Sequence, residues 1–243
     1  MNRIRVVGIG PGDYNEMTVR AVNALNDCDV IVGYHVYVDL VKEHFPGKEF
    51  HTTPMRREVD RCRIALDLAR EGRDVAMICS GDAGVYGMAG LIYELRGEAD
   101  EPEVEVVGGL TAAISGATRL GAPLTHDFCV ISLSDLLTPW ETIERRLECA
   151  ARGDFGVALY NPSSMKRRDY LQRACDILLR HAAPETVCGV VRNIGREGEE
   201  IQTMTLAQLR DYQADMFTTA FVGNSHTRVI RGKMVTPRGY RDV

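Results

Sequence analysis

Five consecutive apolar residues, Val75 to Cys79, run straight into a loop in which glycine returns at every third position: Gly81, Gly84, Gly87 and Gly90. No other stretch constrains the fold as much. The run is too short for a helix of ordinary length and is entered from the turn-like Glu71-Gly72-Arg73, so it reads as a buried parallel strand. If a helix starts near Val85, the glycines leave it a small-residue face that another backbone or a flat ligand can approach closely. Asp82 is the one formal charge of the loop. Ligands of open α/β sheets bind outside the carboxyl ends of the strands, which makes a glycine-rich turn with a single acid a candidate cofactor site. Close helix packing would by itself also account for the glycines.

The pattern recurs on either side. Ile4 to Val7 predicts a first strand, followed by Gly8-Ile9-Gly10-Pro11-Gly12-Asp13. This is superficially the dinucleotide fingerprint, but Pro11 removes a backbone amide and Asp13 replaces the glycine needed for helix packing. The strand Val30 to Val32 ends in Gly33-Tyr34-His35 rather than in the acid that would hold a ribose, so a Rossmann dehydrogenase is disfavoured. Met17 to Leu25 has helical periodicity, and Val59, Cys62, Ala65, Leu66 and Ala69 place an apolar stripe on a helix from Glu58 to Arg70. A further strand, Val104 to Val107, opens into Gly108-Gly109-Leu110-Thr111-Ala112 and a helix of small residues. Three strand ends thus carry glycine-rich loops. If they converge, they form one continuous cofactor crevice.

Leu120-Gly121-Ala122-Pro123 interrupts the alternation and marks a domain boundary, with one α/β domain over 1–120 and a second over 121–243. In the second, strands are expected at Phe128 to Ser132, Gly156 to Tyr160, Val187 to Arg192 and Thr218 to Val222. Thr138-Pro139-Trp140-Glu141 has the form of a helix start, with threonine as cap and proline in the first helical position. Further helices are expected from Asp169 to His181 and from Leu206 to Tyr212.

Charge excludes some functions. The 29 basic and 34 acidic residues are spread along the chain, giving −5 with no basic tail, which argues against a nucleic-acid partner. An anionic substrate would have to be held by local arginines. The seven cysteines include no C-x-x-C pair and sit largely in apolar runs, as reduced core thiols of a cytoplasmic protein do. The six histidines include no close pair at zinc spacing, so no structural metal is expected. The apolar start is broken by Gly8, Gly10 and Pro11 before it could form a signal core, and nowhere do about 18 apolar residues run together, so no membrane association is expected.

Gly8 to Asp13, Ser80-Gly81-Asp82-Ala83-Gly84-Val85-Tyr86-Gly87, Thr111-Ala112, Ala158-Leu159-Tyr160-Asn161-Pro162 and Thr218 to Gly223 together resemble the tetrapyrrole methylase family, which methylates corrin and sirohaem precursors. Within it, Val32-Gly33-Tyr34, Leu110 to Gly116, His126 through Trp140, Val191 to Glu199 and Asp215 to Thr219 resemble the branch that acts on C-17 of precorrin-3B in cobalamin synthesis. The resemblance implies the two-domain α/β fold of class III methyltransferases, with S-adenosyl-L-methionine in a cleft between the domains and a homodimeric assembly. Carried over by motif, the cofactor contacts are Ile9, Pro11, Ser80, Gly81, Asp82, Val85, Tyr86, Thr111 and Ala112 from the first domain. Tyr160, Asn161, Asn193, Thr219 and Ala220 are the contacts from the second. Asp82 would be available to a ribose hydroxyl or the amino group.

The implied reaction methylates C-17 and contracts the ring to precorrin-4, releasing S-adenosyl-L-homocysteine. The cobalt-containing counterpart is the alternative substrate. The nucleophile is a substrate carbon, so the protein supplies position and a dry site rather than a nucleophile of its own. His126 is a candidate base for the C-20 hydroxyl, against the competing reading of a hydrogen-bonded structural histidine. The substrate's carboxylate arms call for paired cations, with Arg56, Arg192 and Arg196 as candidates, beside the neighbouring Arg57 and Arg61 and the Lys166-Arg167-Arg168 run. Two rivals are diphthine synthase, which the Asp127 to Trp140 run disfavours, and a non-catalytic nucleotide-binding module.

Overall fold

A computed structural model describes residues 3–164 and 167–241. The chain divides into two compact units, 1–112 and 113–243.

In the first unit, the strands β1 (Arg3–Gly8), β2 (Val30–Tyr34), β3 (Glu49–Thr53), β4 (Val75–Cys79) and β5 (Glu103–Val107) form one parallel sheet in the order β3-β2-β4-β1-β5. The helices α1 (Val19–Asp27), α2 (His35–Val41), α3 (Glu58–Arg70) and α4 (Ala89–Arg96) cover both faces. Strand alternation does the sorting. Val75, Met77 and Cys79 of β4 pack with Cys62, Leu66 and Ile92 under α3 and α4, whereas Ala76 and Ile78 pack with Leu25 and Val38 under α1 and α2. All five β4 residues are buried, and each large one contributes about 1.5–3 kcal/mol of apolar burial.

Two elements here lie outside the sequence expectation. β3 is an edge strand, polar and mostly exposed or half-buried, and α2 forms from His35–Val41. The helix after β4 also begins later than expected. It starts at Ala89, not near Val85, so Gly81, Gly84 and Gly87 belong to the loop and make no helix face.

The second unit opens with α5 (Ala112–Leu120), which follows from the last residue of the first, and the two-residue β6 (Gly121–Ala122). Its main sheet contains β7 (Phe128–Ser132), β8 (Gly156–Tyr160), β9 (Val187–Arg192), β10 (Glu200–Thr205) and β11 (Thr218–Val222), ordered β10-β9-β11-β8-β7. Only β7 and β8 run parallel; β11 is antiparallel to β8 and β9, and β10 to β9. The helices α6 (Trp140–Arg152), α7 (Tyr170–Leu178) and α8 (Leu206–Arg210) bury Leu147, Leu171 and Leu209 against Val157, Leu159 and Val190 on one face. On the other face α5 brings Gly116 against the Phe221 ring. A small sheet of β12 (Arg228–Ile230), β13 (Lys233–Val235) and β6 completes the unit.

Thr138 does not cap α6. Pro139 takes the cap position and no side chain bonds the first turn. The capping box forms instead at α8, between Thr205 and Gln208.

Candidate functional site

The three glycine loops leave β1, β4 and β5, which are consecutive in the sheet order β4-β1-β5, so their carboxyl ends stand side by side. Backbone bonds join the first two: the Ile9 amide donates to the Cys79 carbonyl at 2.9 Å, Gly10 N to Gly81 O at 3.0 Å and Gly81 N to Gly10 O at 2.7 Å. The third loop is drawn in as closely. A Cβ on Gly8 would lie 2.7 Å from Gly81 O and 2.8 Å from Gly109 N, and one on Gly109 would overlap the Gly81 and Gly8 carbonyls. Gly81 itself has φ +71°, the left-handed region that favours glycine. The glycines are therefore fixed by backbone-to-backbone contact, and the floor they make is polar main chain.

Asp82 ties these loops together. Its Oδ1 accepts from the amides of Gly84 at 2.8 Å and Val85 at 3.0 Å, and its Oδ2 accepts from Gly109 at 2.9 Å. The carboxylate that sequence offers to a ligand hydroxyl is thus already engaged by three amides, two in its own loop and one in the next. Val85 and Tyr86 project into solvent, Tyr86 from a left-handed backbone at φ +55°. Ile9 and Pro11 are buried, so what they can offer a ligand is main chain. Thr111 and Ala112 lie against Gly81, with Thr111 Cα 3.7 Å from its ideal Cβ position. Cys79, at the base of the second loop, is no nucleophile at neutral pH, because burial pushes its thiol up to about 11.

The second unit gathers its residues at one end of its sheet. Registers Thr218↔Arg192 and Ala220↔Leu159 bring Tyr160, Asn161, Arg192, Asn193 and Thr219 to the carboxyl ends of β8 and β9 and the start of β11. The Tyr160 phenol oxygen accepts from the Ala113 amide at 2.5 Å, satisfying a first-turn donor of α5. Asn161 and Asn193 both have φ +53°, a conformation that asparagine tolerates better than most residues. Asn161 donates to the Ser132 hydroxyl at 2.9 Å, and the Asn193 amide donates to Phe217 O at 3.1 Å. Thr219 and Ala220 are buried.

Two of the expected residues stand apart from the rest. Arg192 is committed to acids of its own unit, Nε to Asp215 at 2.6 Å and Nη1 to Glu200 at 3.3 Å. Burial pushes the Asp215 carboxyl up, but the bonds from Arg192, Thr218 and the Phe217 amide outweigh it and hold the group below its ordinary value. His126 stands at the wrong end of the sheet. It precedes Phe128, which pairs with Gly156, whereas Tyr160 pairs with Ser132 about 13 Å further along the strand. Its ring stacks on His226 at 6.0 Å. That separation sets it apart from the group around Tyr160 and Asn161.

Among the other cations, Arg56 is exposed at φ +65° and makes no ion pair among the described residues. Arg57 pairs with Asp60, and Arg61 is buried on Thr53 and Pro54. Arg196 lies 6.0 Å above the Phe217 ring. Lys166 lies outside the described residues. Sequence reasoning gave no separate role to Ser132, Asp135 or Tyr170, although the first two fall in the run from His126 to Trp140 that carried the resemblance.

A family model described as Tetrapyrrole (Corrin/Porphyrin) Methylases matches residues 3–210. The chain is 47% identical to a probable cobalt-factor III C(17)-methyltransferase of Salmonella typhimurium, over 98% of this chain and 99% of that protein. It is 40% identical to a precorrin-3B C(17)-methyltransferase of a Sinorhizobium species, over 97% and 96% of the two chains. A crystal structure of the methyltransferase CobJ superposes with a TM-score of 0.89 at 38% identity, covering 96% of this chain and 99% of that one.

Proposed function

The chain belongs to the tetrapyrrole (corrin/porphyrin) methylase family, and from that membership we propose that it transfers a methyl group from S-adenosyl-L-methionine to C-17 of a tetrapyrrole of cobalamin biosynthesis, with contraction of the ring. The observation that carries the reading is the meeting of three loops at Gly8, Gly81 and Gly109, a main-chain cradle in a chain 47% identical to a C(17)-methyltransferase. Main-chain amides and carbonyls suit a zwitterionic ligand, which presents donors, acceptors and both charges at once. When bound, S-adenosyl-L-methionine supplies an electrophilic methyl on a positively charged sulfur.

The work left to the protein is to hold and to shield. Ile9, Pro11, Gly81 and Ala112 offer main chain to the cofactor; Ser80 and Thr111 add hydroxyls, and Val85 and Tyr86 add apolar cover. Asp82 serves by fixing the loops that carry them. Tyr160, Asn161, Asn193, Thr219 and Ala220 are the second unit's part. No protein nucleophile is needed, since a carbon of the substrate accepts the methyl, and rate comes from holding that carbon in line. Arg56 and Arg196 are the favoured candidates for substrate carboxylates, ahead of Arg192, which pairs with two acids of its own unit.

The higher identity to the cobalt-factor III relative, 47% against 40%, favours a cobalt-containing acceptor over the metal-free one. Incubation with each acceptor and S-adenosyl-L-methionine, followed by mass spectrometry, tests both readings. One methyl gained per macrocycle, matched by S-adenosyl-L-homocysteine released, supports the proposal; turnover with neither tetrapyrrole rejects it. A homodimer in the cytoplasm is part of the same proposal, and sedimentation equilibrium checks the assembly.

A further inference from the structure

The loop between β7 and α6 ends in two consecutive leucines held out in solvent, Leu136 at 65% and Leu137 at 98% exposure. Single exposed apolar residues are ordinary, but an adjacent pair on a fixed base asks for a partner. The base is fixed from several sides. Leu133 is fully buried, and its amide donates to Tyr160 O at 2.8 Å. The Ser134 amide donates to the Ser132 hydroxyl at 3.2 Å, and the Tyr170 hydroxyl donates to Asp135 at 2.6 Å. Trp140, just beyond the loop, packs 4.6 Å from the Tyr170 ring and carries Arg173 at 3.9 Å over its face.

The place and the charge of this tip say what it covers. Ser132, at its root, accepts from Asn161, so the loop rises from the same end of the sheet as Tyr160 and Asn161. Behind it, Arg167 bonds Ser164 through Nε, while its Nη1 stands 3.9 Å from Asp135 and makes no hydrogen bond among the described residues. An apolar tip with an incompletely bonded guanidinium beside it matches a flat apolar ring rimmed with carboxylates. It matches a second copy of this chain less well, because a surface leucine pair would then need an apolar face without that cation.

Resting on the function proposed above, we infer that Leu136 and Leu137 cover one face of the tetrapyrrole substrate, with Arg167 taking a peripheral carboxylate. These residues bind substrate and leave cofactor binding alone.

The test titrates uroporphyrin III, a stable carboxylated tetrapyrrole, into wild type, the double variant Leu136→Ser/Leu137→Ser and the double variant Leu136→Met/Leu137→Met. S-adenosyl-L-homocysteine affinity and sedimentation are measured on each. The expected result is porphyrin binding weakened about tenfold or more in the serine variant and restored in the methionine variant, with S-adenosyl-L-homocysteine affinity and assembly unchanged. Equal porphyrin affinity in wild type and the serine variant overturns the inference alone. A changed oligomeric state with porphyrin binding intact also overturns it, and assigns the tip to contact between copies. Failure of wild type to bind any porphyrin while it binds S-adenosyl-L-homocysteine overturns the tetrapyrrole reading itself, and this inference with it.

Discussion

The two units hold their candidate residues in place with different materials. In the first, three loops at adjacent parallel strands meet through main chain, and the Asp82 side chain joins them by accepting three amides. In the second, on a mixed sheet, side chains carry the structure: Tyr160 caps α5, Asn161 reaches Ser132, and Arg192 bridges Asp215 and Glu200. A site made of main chain tolerates no added atoms, whereas a site made of side chains tolerates losing one at the cost of a bond.

That contrast breaks most readily at Gly109. Gly109→Ala places a methyl where Gly81 O and Gly8 O already stand, and should cost about 1–3 kcal/mol in strain as well as opening the cradle. Isothermal titration should show S-adenosyl-L-homocysteine binding weakened roughly tenfold or more; unchanged affinity would mean the ligand does not use these loops. Asp82→Asn is the next largest. The amide can keep one oxygen on Gly84 and Val85 but presents N–H to the Gly109 amide, so about 1–3 kcal/mol is expected from the unpaired donor, read as a lower melting temperature together with weaker cofactor binding.

The second unit should answer differently. Tyr160→Phe removes the acceptor for the Ala113 amide and should lower stability by about 1 kcal/mol in urea titration. Arg192→Met sharpens the comparison through pH. Asp215 has a folded-state pKa below its unfolded value, so the ion pair contributes stability that is present above about pH 4 and is lost as pH falls through the lower folded value. The variant should be less stable at neutral pH, should lose part of the acid slope of the melting temperature, and should bind tetrapyrrole like wild type. Weakened tetrapyrrole binding would restore Arg192 as a substrate cation.

The same contrast governs how much could be read from sequence. Val75–Cys79 is buried throughout, and its apolar run announced it; Gly8 and Gly109 were visible as glycines because close main-chain approach demands that residue. Their convergence was conditional, since the order β4-β1-β5 joins segments far apart in the chain. Two of the strands that escaped notice, Glu49–Thr53 and Glu200–Thr205, are sheet edges whose polar, exposed pattern carries little apolar signal. His35–Val41 holds three valines, Val36, Val38 and Val41, yet folds as a helix, a case of tertiary context overriding local preference. The delayed start of α4 follows from Tyr86, whose left-handed backbone at φ +55° interrupts a right-handed helix between Asp82 and Ala89. The surroundings of Arg192 and His126 were hidden for one reason: composition shows a cation or a base, but only register shows which acids and which strand end it meets.

The central claim is that the cradle at Gly8, Gly81 and Gly109 holds S-adenosyl-L-methionine, and thermal unfolding with added ligand tests it most directly. A ligand that binds only the folded chain stabilises it by about 2.7 kcal/mol at a hundredfold excess over its dissociation constant. S-adenosyl-L-homocysteine should raise the melting temperature in a saturable way while NAD does not, as expected where Pro11 and Asp13 break the dinucleotide pattern. A shift with NAD and none with S-adenosyl-L-homocysteine would contradict the account.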